Sequence, residues 1–353
     1  MRPFRTSFGS QSVRDLVLIE AVSDSGLSGW GECVTMSWPG YSSEYTSGAI
    51  DVMQKFLIPD LTPLLQTTPE PDAVRAAMSS QQGHPMAKAA LSTALLDLWL
   101  KERGESLGAY LGAVRERIDC GVSVGIPTSL DSLLEEVGLY IDQGYRRIKL
   151  KIEPGWDLDP VRLVRETWPD IPLQVDANQA YGRSDGSHLA KLDAFNLLLI
   201  EQPLHEDDLL GHVQISQVVS TPICLDESII SVASAQGAIE FGATSIINIK
   251  PGRVGGYLTA KEIHDLCVER SIPVWCGGML ETGVGRAANL ALAGLPGFTV
   301  IGDTSASNRY YAEDLTAPFV LDNGQLAVPT GPGIGVEPIP ENLAAMSTGV
   351  ITA

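Results

Sequence analysis

The sequence has 353 residues, of which 44% are hydrophobic and 19% charged, a composition typical of a soluble globular protein with a large buried core. Its formal net charge of −19, without a Lys/Arg-rich face, argues against a nucleic-acid partner because phosphates would be repelled. No apolar run approaches the roughly 20 residues that span a bilayer, and five widely spaced cysteines without a Cys-x-x-Cys pair indicate free thiols in the cytoplasm.

The first part of the chain, residues 1–115, predicts an α+β domain. Residues 11–22 and 29–33 have the pattern of two strands in a hairpin, and residues 87–100 have that of a long helix. We expect this domain to precede a larger one of a different kind.

A repeat of about 25 residues begins after residue 116. Short apolar strands end at Lys151, Asp176, Glu201, Asp226 and Lys250, so the steps are 25, 25, 25 and 24 residues. Segments with a helical pattern, such as 129–137 and 255–266, lie between them. This alternation is typical of βα units around a parallel sheet.

Further strand-like segments extend this series at 120–125, 273–276 and 298–303. Eight units in one unbroken series favour a closed barrel over an open sheet. We therefore predict an α/β fold: a (β/α)7β-type TIM barrel over residues 116–310. The segment 311–353 is expected to pack back on the first domain.

Carboxylates stand at three consecutive strand ends, Asp176, Glu201 and Asp226. In such barrels the C-terminal strand ends form the mouth of the active site. Three converging anions would repel one another without a cation, and oxygen ligands without histidine or thiol favour Mg²⁺ or Mn²⁺ over zinc. A helix N-cap or a surface charge explains any one of them, but poorly explains three at a fixed repeat.

Lysines flank these carboxylates. Lys149 and Lys151 are two residues apart and point to the same face of one strand, whereas Lys250 lies four strands on, across the mouth. A salt-bridged core pair is the alternative for the first two. A lysine whose ammonium form is disfavoured by a metal and another lysine can act as a base near neutral pH. The residues thus predict metal-dependent removal of a proton next to a carboxylate.

On these residues the sequence resembles the enolase superfamily, and most closely the o-succinylbenzoate synthase / N-succinylamino acid racemase branch of its muconate-lactonizing-enzyme-like subgroup. The resemblance covers nearly the whole chain. It rests on Lys149-Leu-Lys151, Asp176-Ala-Asn178, Ile200-Glu-Gln-Pro203, Leu225-Asp-Glu-Ser228 and the stretch 248–256. The most branch-specific segments are 273–286 and 302–310.

The resemblance implies a capping domain over residues 1–115 and one Mg²⁺ or Mn²⁺ per active site, held by Asp176, Glu201 and Asp226. It implies that Lys151 and Lys250 form an acid/base pair on opposite faces of the substrate's α-carbon. Lys149 would stabilise the substrate carboxylate or lower the pKa of Lys151.

The implied substrate is a small carboxylate. One implied reaction is the syn dehydration of 2-succinyl-6-hydroxy-2,4-cyclohexadiene-1-carboxylate in menaquinone biosynthesis, and the other is racemisation of N-succinyl or other N-acylamino acids. Both pass through a metal-stabilised enolate, so one site can catalyse both. The resemblance also implies a homo-oligomer, a dimer or an octamer.

Candidate substrate-binding residues follow from the same resemblance and come from the first domain and the strand ends. They are Asn178, Ser123, Gly278, Met279, Phe4, Met36 and Tyr41. Core packing is the alternative for Phe4 and Met36, and the glycine can equally serve a turn.

Other functions remain open at this stage. A muconate cycloisomerase or a dipeptide epimerase would use the same lysines, although dipeptide epimerases favour Asp-x-Asp where this sequence has Asp303-Thr-Ser305. A Schiff-base aldolase using Lys151 or Lys250 would leave the carboxylates without a role. A non-catalytic barrel that only binds a ligand is the alternative from another class.

Overall fold

Two antiparallel hairpins open the part of the chain that this computed structural model describes, residues 4–353. Strand β1 (Phe4–Thr6) pairs with β2 (Gly9–Gln11), and β3 (Val17–Val22) pairs with β4 (Ser28–Cys33). The predicted hairpin is therefore confirmed. Its first strand begins at Val17 because residues 9–11 pair with β1 instead. Residues 1–3 of the predicted first domain lie outside the description.

Five helices complete this region: α1 (Thr46–Val52), α2 (Ile58–Leu61), α3 (Pro71–Ala77), α4 (Pro85–Arg103) and α5 (Leu107–Leu111). The π-turn Met53–Leu57 joins α1 to α2, and 3₁₀ turns follow at Thr62–Leu64 and Met78–Ser80. The predicted long helix is α4. It lies directly on β4, since a methyl group on Gly31 would come 2.1 Å from the carbonyl oxygen of Ala90. Glycine is thus required there by close backbone approach.

A parallel sheet of seven strands forms the second region, with spatial order equal to chain order. Asp176 lies opposite both Lys151 and Glu201 in the register, which confirms that the predicted strand ends share one rim. The strands are β6 (Gly121–Val124), β7 (Arg147–Lys151), β8 (Leu173–Asp176), β9 (Ile200–Glu201), β10 (Ile223–Leu225), β11 (Ile246–Ile249) and β12 (Val274–Cys276).

Helices alternate with these strands, as the repeat predicts. Serine or aspartate side chains cap the first turns of several of them, for example Ser129 and Asp208. Between β8 and β9 the helix is short and flanked by 3₁₀ turns at Arg183–Asp185 and Ala190–Phe195. The helices are α6 (Leu130–Asp142), α7 (Leu158–Thr167), α8 (Gly186–Leu189), α9 (Leu209–Ser216), α10 (Val232–Glu240), α11 (Pro251–Val254), α12 (Tyr257–Glu269) and α13 (Gly283–Ala293).

The side chains of β7 divide between two environments. Ile148 and Leu150 are buried in one large apolar cluster together with Val161 and Val164 of α7. Lys149 and Lys151 alternate with them and therefore point to the opposite face. The strand thus places apolar residues against the helices and lysines towards the inside of the curved sheet.

The predicted eighth strand, 298–303, forms isolated bridges rather than a strand. Phe298 bridges to Val274 of β12, and Gly302 bridges to Cys120 next to β6. The amide of Gly121 donates to the carbonyl of Gly302 at 2.9 Å. The structure therefore shows a curled parallel sheet, contacted at both edges by one segment, and a separate N-terminal domain.

The tail after residue 310 contacts both regions. A 3₁₀ turn, Ser307–Arg309, leads into it. Strand β13 (Gln325–Ala327) pairs with β5 (Arg117–Asp119), while the amide of Ile334 donates to Asp97 Oδ1 of α4 at 2.7 Å. The last helix is α14 (Pro340–Met346). Across residues 4–353, none of the helices has the length and apolar character that crossing a membrane requires.

Candidate active site

The charged residues predicted at the strand ends meet in one buried cluster. Lys149 Nζ lies 2.6 Å from Asp303 Oδ2, 2.9 Å from Glu201 Oε2 and 3.3 Å from Asp176 Oδ2. Burial by itself would lower the pKa of Lys149, but these three carboxylates raise it well above its ordinary value. Lys149 is therefore held as an ammonium that joins three acidic side chains.

Lys151 reaches the next part of the cluster. Its Nζ lies 2.5 Å from Asp176 Oδ2 and 2.7 Å from Asn178 Oδ1. The backbone amide of Asn178 also donates to Asp176 Oδ1, at 2.9 Å. The predicted base and the predicted substrate-binding asparagine are thus in direct contact, with one carboxylate holding both.

Lys250 occupies the far end of the carboxylate row. Its Nζ donates to Asp226 Oδ2 at 2.7 Å and to the Tyr41 hydroxyl at 2.9 Å. Burial opposes its charge, yet Asp226 and Tyr41 outweigh burial and raise the pKa of Lys250. The nearest charged partner of Lys250 is thus a carboxylate and not a second lysine, and a disfavoured ammonium beside a metal ion stays a prediction.

The three carboxylates predicted to bind metal belong to residues that are almost fully buried, each at most 1% exposed. Burial and the neighbouring Asp176 raise the pKa of Glu201, whereas Arg253 and Lys250 overcome burial and lower that of Asp226. Within residues 4–353, no group of three His, Cys, Asp or Glu side chains is arranged to hold a metal ion. A lysine nitrogen lies against one oxygen of each of these three carboxylates.

The chemistry of this donor set nevertheless fits a hard divalent cation, because all of its ligands are carboxylate oxygens. Glu227 adds a fourth carboxylate beside Asp226 and is 1% exposed. Its Oε2 is buried and has no hydrogen-bond partner in the described chain. Burial, Asp226 and Asp176 raise the pKa of Glu227 to about 8. A buried oxygen without a donor is one that a cation would satisfy.

Several predicted substrate-binding residues adjoin the cluster. The Tyr41 hydroxyl lies 3.3 Å from Asp226 Oδ2, and the Ser123 hydroxyl donates to Asp303 Oδ2 at 3.2 Å. Gly278 is close to the same aspartate, since a methyl group on it would lie 3.5 Å from the carbonyl oxygen of Asp303. First-domain and sheet residues thus converge on one site.

The other predicted pocket residues make different contacts. Met279 is buried in the apolar cluster of the first domain, with Val34 and Leu95. Phe4 is 8% exposed and packs edge-on against Tyr310 at 6.2 Å between ring centroids. Met36 forms a backbone bridge to Tyr45. The contact of Phe4 is one of packing, the alternative that the sequence left open, whereas the role of the Met36 side chain stays a prediction.

A cavity of about 640 Å³ opens between first-domain loops and strand-end loops, a volume within the usual range for small-molecule sites. Tyr41 and Asn178 line it, together with Ser7, Phe8, His205 and Glu206. Two residues that bond to the lysines therefore face a space large enough for a substrate.

Three cluster residues escaped prediction as site residues: Glu227, Arg253 and Asp303. Arg253 Nη1 lies 2.5 Å from Asp226 Oδ1, and Asp303 Oδ1 lies 2.8 Å from Arg147 Nη2. The available signal was position, since Glu227 directly follows a strand-end carboxylate and Asp303 ends the eighth strand-like segment. Their partners come from distant parts of the chain, which spacing alone does not reveal.

Comparison with known families agrees with this geometry. Residues 132–342 match the family described as enolase C-terminal domain-like, and residues 1–112 match the mandelate racemase / muconate lactonizing enzyme N-terminal domain. The chain belongs to the enolase superfamily. The resemblance stated from its motifs is therefore confirmed.

Individual relatives of this enolase-superfamily chain are similar over nearly its full length. An N-succinylamino acid racemase from Amycolatopsis is 57% identical, over 99% of this chain and 94% of the relative. An o-succinylbenzoate synthase from Geobacillus kaustophilus is 48% identical, over 95% and 89%. A solved enolase-superfamily structure from Listeria innocua superposes with a TM-score of 0.93 at 41% identity, over 98% and 93%.

Proposed function

We propose that this chain is a metal-dependent enzyme that removes the α-proton of a small carboxylate substrate, as an N-succinylamino acid racemase, an o-succinylbenzoate synthase or both. One observation carries the proposal. Lys151 and Lys250 bond to different carboxylates, Asp176 and Asp226, of one buried cluster beside a cavity of about 640 Å³. Because these two lysines stand at the ends of β7 and β11, four strands apart, they can reach opposite sides of one bound carbon atom.

The proposed cofactor is one Mg²⁺ or Mn²⁺, for which Asp176, Glu201 and Asp226 would be the ligands. A bound divalent cation supplies stabilisation of the negative charge that develops as the α-proton leaves. Support comes from the all-oxygen donor set and the unpartnered buried oxygen of Glu227. Lys149 would remain an ammonium and hold the acidic side chains together.

In racemisation, Lys151 as a neutral amine takes the proton from one face of the α-carbon. The electrons of the C–H bond form a double bond between the α-carbon and the carboxylate carbon, and the electrons of the C=O bond move onto a carboxylate oxygen. Lys250, held charged by Asp226, gives a proton to the opposite face. The other enantiomer reacts with these roles exchanged. Each lysine therefore serves one enantiomer as the base.

In dehydration, the same site would use its lysines unequally. Lys151 takes the ring proton and returns it to the leaving hydroxyl, which departs as water from the same face. Lys250 stays charged and acts as a cation near the ring. The ion pair of Lys250 with Asp226 suits this role, and the reaction would belong to menaquinone biosynthesis.

We also propose the arrangement of the whole chain. Residues 1–115 form the capping domain, residues 116–310 a (β/α)7β barrel that the segment 298–303 closes, and residues 311–353 a tail that completes the cap. The bridges of Phe298 and Gly302 to the two edges of the sheet support closure. A homo-oligomer, a dimer or an octamer, and a cytoplasmic location remain proposals that rest on the sequence.

A side-by-side assay tests the function. With Mg²⁺ or Mn²⁺, we expect ¹H NMR to show exchange of the α-proton of N-succinylamino acids with deuterium from D₂O, and we expect ultraviolet absorbance to report the dehydration. If neither reaction occurs with either metal, the proposal is wrong. Reaction with muconate or a dipeptide instead would favour the related activities, and trapping by borohydride would indicate a Schiff base.

A further inference from the structure

A chain of two side-chain hydrogen bonds connects Glu227 to Lys151. Asn178 Nδ2 donates to Glu227 Oε1 at 2.9 Å, and Lys151 Nζ donates to Asn178 Oδ1 at 2.7 Å. All three side chains are buried, with Glu227 1% and Asn178 4% exposed. Glu227 therefore reaches the lysine only through the amide of the asparagine.

The chemistry of its two hydrogen-bond partners decides which way the side-chain amide of Asn178 points. The ammonium of Lys151 can only donate, so it must face the amide oxygen, while a carboxylate oxygen of Glu227 accepts from the amide nitrogen. Rotation of the amide by half a turn would bring two donors together at Lys151. Glu227 thus holds the amide in the one orientation that accepts from the lysine.

The backbone of Asn178 is held by other hydrogen bonds than those that connect Glu227, Asn178 and Lys151. Its φ of +40° lies in the left-handed region, which asparagine tolerates better than most residues. The backbone amide of Asn178 donates to Asp176 Oδ1, and its backbone carbonyl accepts from the Ser7 hydroxyl at 3.1 Å. With the backbone fixed, the rotation of the side-chain amide is the variable that Glu227 controls.

Lys250 is positioned by other groups. Its Nζ bonds to Asp226 Oδ2 and to the Tyr41 hydroxyl, whereas the hydrogen bond of Glu227 goes to Asn178. Glu227 follows Asp226 in the chain, yet its side chain serves the opposite lysine. The two lysines therefore have separate sets of hydrogen-bond partners.

We propose that Glu227 is a positioning residue for Lys151, to which Asn178 connects it by hydrogen bonds, whereas no hydrogen bond within the described residues connects it to Lys250. By fixing the side-chain amide of Asn178, Glu227 keeps two acceptors within hydrogen-bond distance of the Lys151 nitrogen, one from Asp176 and one from Asn178. These two contacts determine the direction of the remaining position on that nitrogen. Without Glu227, the amide can turn and the lysine nitrogen loses one of the two contacts that aim it. This inference rests on the proposed function, because it assumes that each lysine serves one enantiomer.

The test measures α-proton exchange in D₂O separately for N-succinyl-L-alanine and N-succinyl-D-alanine, with the full chain and Mg²⁺. Lys151→Ala identifies the enantiomer that depends on Lys151. We expect Glu227→Leu to slow exchange of that enantiomer about tenfold more than exchange of the other, since small misplacements of a reacting group have effects of this size or larger. Glu227→Gln keeps an acceptor for Asn178 and should keep the ratio of the two rates within about twofold.

Equal slowing of both enantiomers by Glu227→Leu would overturn the inference, and so would selective slowing of the enantiomer that depends on Lys250. If circular dichroism shows that Glu227→Leu does not fold, Glu227→Ala removes the same hydrogen bond and must slow the Lys151-dependent enantiomer selectively. Where Glu227→Leu and Asn178→Leu both fold, their effects on the rate ratio should not add. Absence of exchange in the parent chain would instead contradict the proposed function.

Discussion

The rim of the sheet and the first-domain loops above it are built differently. At the rim, Lys149, Asp176 and Glu201 are almost fully buried and bond to one another. In the loop at 36–45, Trp38 is 48% exposed, and Tyr41 alone among the predicted pocket residues of the first domain has a hydrogen bond to the cluster. The difference teaches that adjacent strands place the charged groups, whereas the loop contributes side chains that line the cavity.

Removal of the divalent metal is expected to have the largest effect on the activity of the groups at the rim. We expect chelation to abolish α-proton exchange, and Mg²⁺ or Mn²⁺ to restore it, because three buried carboxylates supply only oxygen ligands. NMR exchange with and without chelator is the measurement, and calorimetric titration of the chelated chain with Mg²⁺ gives a readout independent of activity. Undiminished exchange after exhaustive chelation would contradict a metal-dependent rim.

The lysines of β7 allow a matched comparison within the rim. Lys151→Ala should reduce exchange of one enantiomer by about 10²–10⁴-fold, the usual contribution of a general base. Lys149→Ala should slow both enantiomers to a smaller extent, since Lys149 holds charge rather than moving a proton. Exchange at the parental rate for both enantiomers in Lys151→Ala would show that its assigned role is wrong.

A buried glutamate tests whether the first domain responds to pH. Glu44 accepts hydrogen bonds from the amides of Met86 and Ala87 at the start of α4, and burial raises its pKa to about 7 from 4.5. The folded state therefore binds more protons than the unfolded state between pH 4.5 and 7. The free energy of unfolding should fall as pH rises through this window, by about 1.4 kcal/mol per unit of pKa shift at most.

Glu44→Gln keeps an acceptor for the helix start and cannot ionise. Urea unfolding at pH 5 and pH 8 should show a smaller loss of stability for this variant than for the parent. Because other groups titrate over the same range, the difference between the two chains is the quantity to compare. Identical pH dependence in both chains would contradict the assignment.

A contact between the N-terminal domain and helix α13 is expected to have a smaller effect on stability. Glu32 of β4 accepts from the Thr282 hydroxyl at 2.6 Å and from the Gly285 amide at 3.0 Å, at the start of α13. Glu32→Ala leaves buried donors unpaired and should lower the free energy of unfolding by about 1–3 kcal/mol. Because the loop with Gly278 leads into this helix, KM should rise more than kcat falls.

Urea unfolding and steady-state kinetics measure both effects of Glu32→Ala. Glu20→Ala is a matched control, since Glu20 lies on the paired strand β3 and is exposed. Equal stability of the two variants would mean that Glu32 does not join the regions.

The smallest expected effect concerns Tyr41, which connects the loop to the rim. Tyr41→Phe keeps the ring and removes a hydroxyl that bonds to Lys250 and Asp226. A net loss of about 0.5–1.5 kcal/mol for such a bond predicts a several-fold slower exchange, confined to the enantiomer that depends on Lys250. A uniform effect on both enantiomers would place Tyr41 in general packing instead.

Much of the rim was predictable because a βα repeat is local. Each unit of about 25 residues carries its own strand and helix pattern, and parallel strands bring their ends to the same side. Asp176, Glu201 and Asp226 could therefore be placed together from spacing alone. Phe4 and Met36 could not be assigned, since an apolar residue has the same appearance in sequence whether it packs or binds.

The sequence by itself determined the strand series, the row of carboxylates and the lysines on either side of it. Only the tertiary structure decided which group each side chain meets: Asn178 with Glu227, Lys149 with Asp303, and Asp97 with the tail. It also decided that Lys250 pairs with Asp226. Local periodicity sets the direction of a side chain, but its partners and its pKa depend on residues far away in the chain, which come close only when the fold is complete.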